Sequence, residues 1–274
     1  MATSPYTELP ATGPYDVAIG TSLITMVEPH EGHDEVYNRW YEDDHFFSGA
    51  MAMPWMFAGR RFVATRDLQA LRYPADSTVA SPIDRGKYIS LYWITEGRHE
   101  DHERWTVATN QRLRADNRIH MERDHVFTAF QRYRGVSYRD DEVPRDIHSL
   151  NYPFGGLVVE VIDAADGPGR EELLSWLQDQ YVPSVLADSD IALCLYFEPM
   201  PLPADKMEYA PDVAGADRRL TLLWFTEGDP RDVFEASFAP SGQAVADKGL
   251  GKVELVAPFI PTLPGTNRYV DQLR

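Results

Sequence analysis

Leu91-Tyr92-Trp93-Ile94-Thr95-Glu96-Gly97 returns 131 residues later as Leu222-Leu223-Trp224-Phe225-Thr226-Glu227-Gly228, identical at five of seven positions. Each copy is a short apolar run closed by Thr-Glu-Gly, the pattern of a buried strand ending at a turn. A second match, at an offset of 136, sets Trp40, Asp43 and His45 opposite Trp176, Asp179 and Tyr181. Similar offsets, with the small difference absorbed by loops, are what a duplicated domain leaves behind.

The elements between the matches support the duplication. Residues 16–27 read as a β-rich strand closed by Pro29 and Gly32. From Asp34 the spacing turns helical, with Tyr37, Trp40 and Tyr41 on one side, and Pro54 is expected to stop it. Strands follow at 55–65 and 87–95, separated by a long loop at 68–86; then come a helix at 103–118 and a strand at 125–133. This order is a ferredoxin-like unit. It recurs as a strand at 157–162, a helix at 171–186, strands at 191–197 and 220–226, a helix at 233–247 and a strand at 253–260. The fold class is therefore α+β: two ferredoxin-like βαββαβ repeats forming a pseudo-dimeric α+β barrel. The expected organisation is a loose arm at 1–15, a first repeat at 16–136, a linker at 137–154, a second repeat at 155–261 and a tail at 262–274. Each four-stranded sheet leaves an apolar face beyond its helices, and the two can cover each other. Trp93 and Trp224 read as equivalent positions in that core or in the sheet-to-helix layer.

Composition narrows the partners. Twenty-six basic against 43 acidic residues give a net charge of −17, which argues against nucleic acid and against an acidic membrane surface. No run of 18 apolar residues is present to span a bilayer. The first 15 residues lack the basic start and apolar core of a secretory signal, so the reading is cytoplasmic. The one cysteine, Cys194, lies in an apolar run and reads as a small buried hydrophobe. No Gly-rich phosphate loop precedes a helix and no Gly-x-Ser-x-Gly elbow occurs.

Tyr37-Asn38-Arg39-Trp40-Tyr41-Glu42-Asp43-Asp44-His45-Phe46, followed by Trp55-Met56-Phe57-Ala58-Gly59-Arg60-Arg61-Phe62, resembles the first helix and second strand of EthD-like dimeric α+β barrel proteins. The resemblance rests on Trp40, Tyr41, Asp43, His45 and Arg61; the family's Pro-Gly-Phe connection appears only loosely, as Pro54-Trp55-Met56-Phe57. It implies a fold whose members include cofactor-free cyclases, isomerases, lyases and monooxygenases, and haem enzymes with two repeats per chain. In those haem relatives the axial histidine lies in the second repeat, whereas the last histidine here is His148. The cofactor expectation is accordingly none.

On residue chemistry, His45 falls four residues after Tyr41, on one helix face. Its imidazole suits a general base at neutral pH, and the competing reading is a helix-end histidine meeting free carbonyls. Arg60 and Arg61 alternate on their strand, so one is expected to face a pocket and hold a carboxylate, enolate or phenolate. Tyr88 and Tyr92 share a strand face, where a phenol could donate to a developing oxyanion or simply pack. The candidate catalytic set is His45, Tyr41, Arg61 and Tyr92, with Trp40, Trp55, Phe57 and Tyr88 as substrate-binding walls. His30 and His33 after the first strand, and His99 and His102 after the third, form a weaker metal candidate, on the expectation that those strands run parallel. The competing reading, two acidic helix starts, is preferred because the spacing matches no closed ligand set.

The expected function is a cofactor-independent enzyme of cyclase, isomerase or lyase type, with a histidine base acting on a small apolar carbonyl or phenolic substrate. The alternatives are a cofactor-free monooxygenase of the same fold and a non-catalytic protein that binds a small apolar or aromatic molecule or serves oligomerisation. A homodimer is left open.

Overall fold

The computed structural model describes residues 16–274 apart from 54, 168, 202–212 and 214. The expected arm, the expected stop at Pro54 and most of the loop at 201–217 lie outside the described residues. Eight strands, β1 (Ile19–Pro29), β2 (Met56–Val63), β3 (Tyr88–Thr95), β4 (Arg123–Tyr138), β5 (Gly156–Ala164), β6 (Ile191–Pro199), β7 (Arg219–Thr226) and β8 (Gly251–Pro261), close a barrel in the order β1-β3-β2-β8-β5-β7-β6-β4. Each half therefore keeps the ferredoxin-like order, β4-β1-β3-β2 and β8-β5-β7-β6. Pairing is antiparallel throughout.

That antiparallel pairing corrects the expectation behind the metal candidate. Ile19 at the start of β1 lies opposite Thr95 at the end of β3. The segments following the two strands consequently leave opposite ends of the sheet. His99 bonds Thr21 Oγ1 at 3.2 Å, while His30 is held between Glu122 and Asp124 at 3.1 and 3.0 Å. Among the described residues, no group of three or more His, Cys, Asp and Glu is arranged to hold a metal ion.

The helices pack outside the barrel. Leaving aside the single turn Arg66–Gln69, they are α1 (Asp34–Trp40, continuing as a π-helical segment Tyr41–Met51), α2 (His99–Ala115) and α3 (Gly169–Trp176, with π-helical Leu177–Tyr181 and then Val182–Leu186). The last is α4 (Pro230–Val233, π-helical Phe234–Phe238 and Ser241–Lys248). Inside, Leu91, Trp93, Leu157, Val159, Leu195, Phe197, Leu223, Phe225 and Phe259 belong to one buried apolar cluster. Trp93 stacks on Phe197 at 5.5 Å, and its indole N–H donates to Ser149 Oγ at 3.2 Å. Trp224 belongs to a different layer, with Leu222, Leu177, Phe234 and Phe238 between the second sheet and its helices.

The sequence match was thus one residue out of structural register. A bulge in β2 opposite Trp93 and Ile94 is repeated in β6 opposite Phe225 and Thr226. Aligning the bulges makes Phe225 the counterpart of Trp93, and a one-residue slip on a strand exchanges its faces.

Behind Trp224 lies Glu160, fully buried, accepting from Trp224 Nε1 at 3.0 Å and from Ser241 Oγ. Burial pushes its carboxyl up to about 7, against the pull of those two donors. A carboxyl raised on folding contributes stability that is full below the usual carboxylate range and is lost as pH rises through its folded value. Glu160→Gln keeps an acceptor for the indole and a donor for Ser241, without the charge. Relative to wild type, this variant should gain about 2 kcal/mol between pH 5 and pH 8, read from urea denaturation at both. A difference that stays constant with pH overturns the assignment.

Candidate functional site

Arg61 is where the site elements converge. The residue is buried, and its guanidinium carbon lies 4.3, 5.0 and 5.9 Å from the ring centroids of Tyr41, Tyr88 and Tyr37. Its Nη1 donates to Asn38 Oδ1 at 3.1 Å and to Glu42 Oε1 at 2.5 Å. Burial works against its charge, and Tyr37 and Glu42 more than offset it, so the guanidinium stays protonated. Arg60, one residue earlier, points the other way, with Nη1 on the carbonyl of Tyr152 at 2.5 Å and Nη2 on that of Phe154 at 3.4 Å.

The two arginines nevertheless border the same space. The β2–β8 seam pairs Phe62 with Pro261 and Val63 with Ile260, whereas the opposite seam runs from Gln131 against Pro199 to Tyr138 against Leu193. Next to the short seam is a cleft of about 700 Å³ lined by Phe46, Phe47, Gly59, Arg60, Arg61, Leu150, Ile260, Leu263 and Tyr269, with Glu42, Asp229 and Arg231 among its polar residues. The segment after β8 closes one side. Thr262 N bonds Arg61 O at 3.1 Å, Gly265 N reaches Glu42 at 3.2 Å, and Asn38 Nδ2 donates to Thr266 O at 2.8 Å.

Next to Arg61, Tyr41 and Tyr92 share a hydroxyl hydrogen bond of 2.7 Å. Burial and then Tyr41 raise the Tyr92 phenol well above its ordinary range, so it remains a neutral donor. Gly59 makes room for it: a Cβ there would lie 2.7 Å from the Tyr92 ring and 2.6 Å from Met51 Sδ.

His45 follows from the π-helical segment. A wider turn brings residues five apart together, and the His45 ring stacks on Trp40 at 4.4 Å with its edge toward Tyr41 at 5.2 Å. The second repeat reproduces this with Trp176 and Tyr181, stacked at 5.1 Å. Gly49 lies under the imidazole, where a Cβ would fall 2.3 Å from Nδ1. That nitrogen is buried and makes no hydrogen bond among the described residues. Burial, aided by the charge of Arg123 and opposed by Asp44, pushes His45 down to about 3.

Of the residues expected in the pocket, only Arg61 lines the cleft. Tyr41 and Tyr88 stand behind it around the guanidinium, and Tyr92 is joined to them through the Tyr41 hydroxyl. Trp40 is the plate under His45 and donates its indole N–H to Arg118 O at 2.7 Å. Trp55 is not a wall of this cleft. It is buried with a φ of 70°, its ring lies 4.0 Å from the Arg98 guanidinium carbon, and its carbonyl accepts from Thr95 N. Phe57, at the β2 bulge, packs against the apolar core. Sequence reasoning missed Asn38, Glu42 and residues 262–269, because their partners are distant in the chain. Gly49 and Gly59 left a signal, as glycines within otherwise regular elements.

No protein-family model matches the chain, and no curated protein matches it. Solved structures do. An anthrone oxidase-like protein is 8% identical with a TM-score of 0.54, covering 90% of this chain and 92% of its own. A DypB variant from Rhodococcus jostii RHA1 in complex with heme is 9% identical with a TM-score of 0.52, covering 93% and 95%. A dye-decolorizing peroxidase from Bacteroides thetaiotaomicron is 10% identical with a TM-score of 0.50, covering 95% and 98%. These likenesses show the fold alone, a closed antiparallel α+β barrel with ferredoxin-like halves, and a shared fold does not fix a reaction. Among the described residues no imidazole or sulfur side chain lines the cleft, and that lining does not fit a haem held by histidine, cysteine or methionine.

Proposed function

We propose that the protein is a cofactor-independent enzyme of the cyclase, isomerase or lyase kind, built on an EthD-like helix and strand, that abstracts a proton from a small, mainly apolar carbonyl or phenolic substrate. The observation that carries the reading is Arg61, a buried cation on the border of a mainly apolar cleft, with the hydrogen-bonded phenols of Tyr41 and Tyr92 behind it. Substrate occupies the cleft against Phe46, Leu150, Ile260 and Leu263. Removing its proton places negative charge on the substrate oxygen, and a fixed guanidinium in a desolvated wall stabilises that charge more than the neutral ground state. Tyr92, hydrogen-bonded to Tyr41 behind the guanidinium, is held as a neutral phenol by burial. His45, kept neutral, is the proposed general base, next in sequence to Phe46 of the cleft wall.

A second reading, a non-catalytic binding protein, is favoured by one observation: His45 itself does not line the cleft. Exchange of α-protons for deuterium separates the two. A panel of aryl ketones in D₂O, followed by NMR, should exchange faster with the protein than in buffer, with saturation kinetics. Saturable binding without faster exchange would favour the binding protein.

A further inference from the structure

We infer that the ligand of the cleft carries a carboxylate, read by the Nε and Nη2 edge of Arg61; this rests on the proposed use of Arg61 to hold substrate charge and puts the two oxygens of a carboxylate in place of a single oxygen there. Other arginines of the chain show how this edge is normally filled. Arg39, Arg118, Arg219, Arg231 and Arg274 each present Nε and Nη2 together to the two oxygens of one aspartate. In Arg219 the two bonds to Asp163 are 2.7 and 3.0 Å, both buried. That edge of a guanidinium holds two parallel N–H groups at the spacing of a carboxylate, which a single phenolate oxygen fills only in part.

Arg61 has the same edge unspent. Its Nη1 is taken by Asn38 and Glu42, while Nε and Nη2 are buried and make no hydrogen bond among the described residues. Leaving charged donors buried and unpaired costs several kcal/mol in general, so a partner for them is favoured strongly. The phenol rings around the guanidinium face it with π surfaces, which attract its charge without supplying in-plane acceptors. Arg61 lines the cleft and this edge is shut off from solvent, so a ligand that reaches it displaces the side chains covering it.

The charge balance also suits an anion. Glu42 already pairs with Arg61, and Arg231 with Asp229. Arg60 bonds to backbone carbonyls and has no carboxylate partner among the described residues, which leaves the cleft one uncompensated cation. The walls are apolar and one carboxylate is accommodated, which describes an aromatic or alicyclic monocarboxylic acid.

The test uses three matched probes, 2-naphthoate, 2-naphthol and 2-naphthylmethanol, titrated calorimetrically into the full chain. Wild type should bind naphthoate tightest. Glu42→Gln serves as reference, so that no variant leaves Glu42 as an unpaired buried charge. Against it, the Glu42→Gln/Arg61→Gln pair should weaken naphthoate about 30-fold or more and the alcohol less than about 3-fold. Glu42→Gln/Arg61→Lys keeps the charge and loses the fork, so it should erase most of the preference for naphthoate over naphthol. Naphthoate binding unchanged in both pairs, equal affinity for acid and alcohol in wild type, or binding of none of the three overturns the inference. Naphthoate binding as expected, without proton exchange on any ketone, carboxylate-bearing aryl ketones included, would instead reject the enzyme reading and leave this one standing.

Discussion

Arg61→Met should cost about 3–5 kcal/mol of folding stability at pH 7, and Glu42→Gln/Arg61→Met should recover most of that loss. The asymmetry follows from what each change leaves behind. The side chains of Arg61 and Glu42 are 2% and 8% exposed, so both charges sit outside bulk water and each relies on the other. Removing the cation leaves a buried carboxylate whose remaining donors among the described residues are Gly265 N and Thr262 Oγ1, at 3.2 and 3.3 Å. It also empties the space enclosed by Tyr37, Tyr41 and Tyr88. Methionine refills the volume but not the charge. Neutralising Glu42 as well removes the unpaired ion, and the remaining loss is that of the cation–π contacts and the bond to Asn38. Urea denaturation at low and high salt checks this, since a buried pair is screened little by salt. Equal stability of the single and double variants would show that Glu42 is solvated without Arg61. The same double variant should lose proton exchange by about 100-fold or more, as for removal of a preorganised oxyanion donor.

How much of this was legible beforehand differs element by element. The duplication was legible because its strand endings, Thr-Glu-Gly in both halves, must terminate edges of the same geometry. The strand order followed from the repeat. Facing did not, because Trp93 and Trp224 lie in runs apolar on both sides, and only the paired bulges show that the copies differ by one residue. Antiparallel β1 and β3 removed the supposed meeting of His30 and His33 with His99 and His102. The pairing of Trp40 with His45 was visible only as a shared spacing with Trp176 and Tyr181. An α-helical reading links His45 to Tyr41 instead, and the π-helical turn supplies the five-residue stacking. The cleft was not legible at all. It exists because one inter-repeat seam is short, and Glu42 meets Thr262 across 220 residues. Neither composition nor periodicity registers such a contact.

The histidine offers the second large effect. In the proposed reaction His45→Phe should lower proton exchange by about 100-fold or more, the usual weight of a positioned base, while the aromatic ring retains the stack on Trp40. The pH profile gives a sharper criterion. An ordinary imidazole base would lose activity as pH falls through its unperturbed value near ~6.5. Here burial and Arg123 hold the conjugate acid at about 3, so kcat/KM should stay level from pH 8 down to about 4.5. Stability must be followed separately, because its sign runs the other way from that of Glu160. The unfolded chain gains a proton at His45 below its usual range while the folded imidazole stays neutral, so folding weakens as acid is added. His125, pushed down to about 3 by burial, adds to the same trend. Profiles taken where circular dichroism reports a fully folded chain keep the two apart. A decline in kcat/KM centred near pH 6.5 in wild type, absent in His45→Phe, would mean that the imidazole is solvated in the working enzyme. Retention of full exchange by His45→Phe would remove it from the reaction and leave the base to be sought among the carboxylates that border the cleft, Glu42 and Asp229.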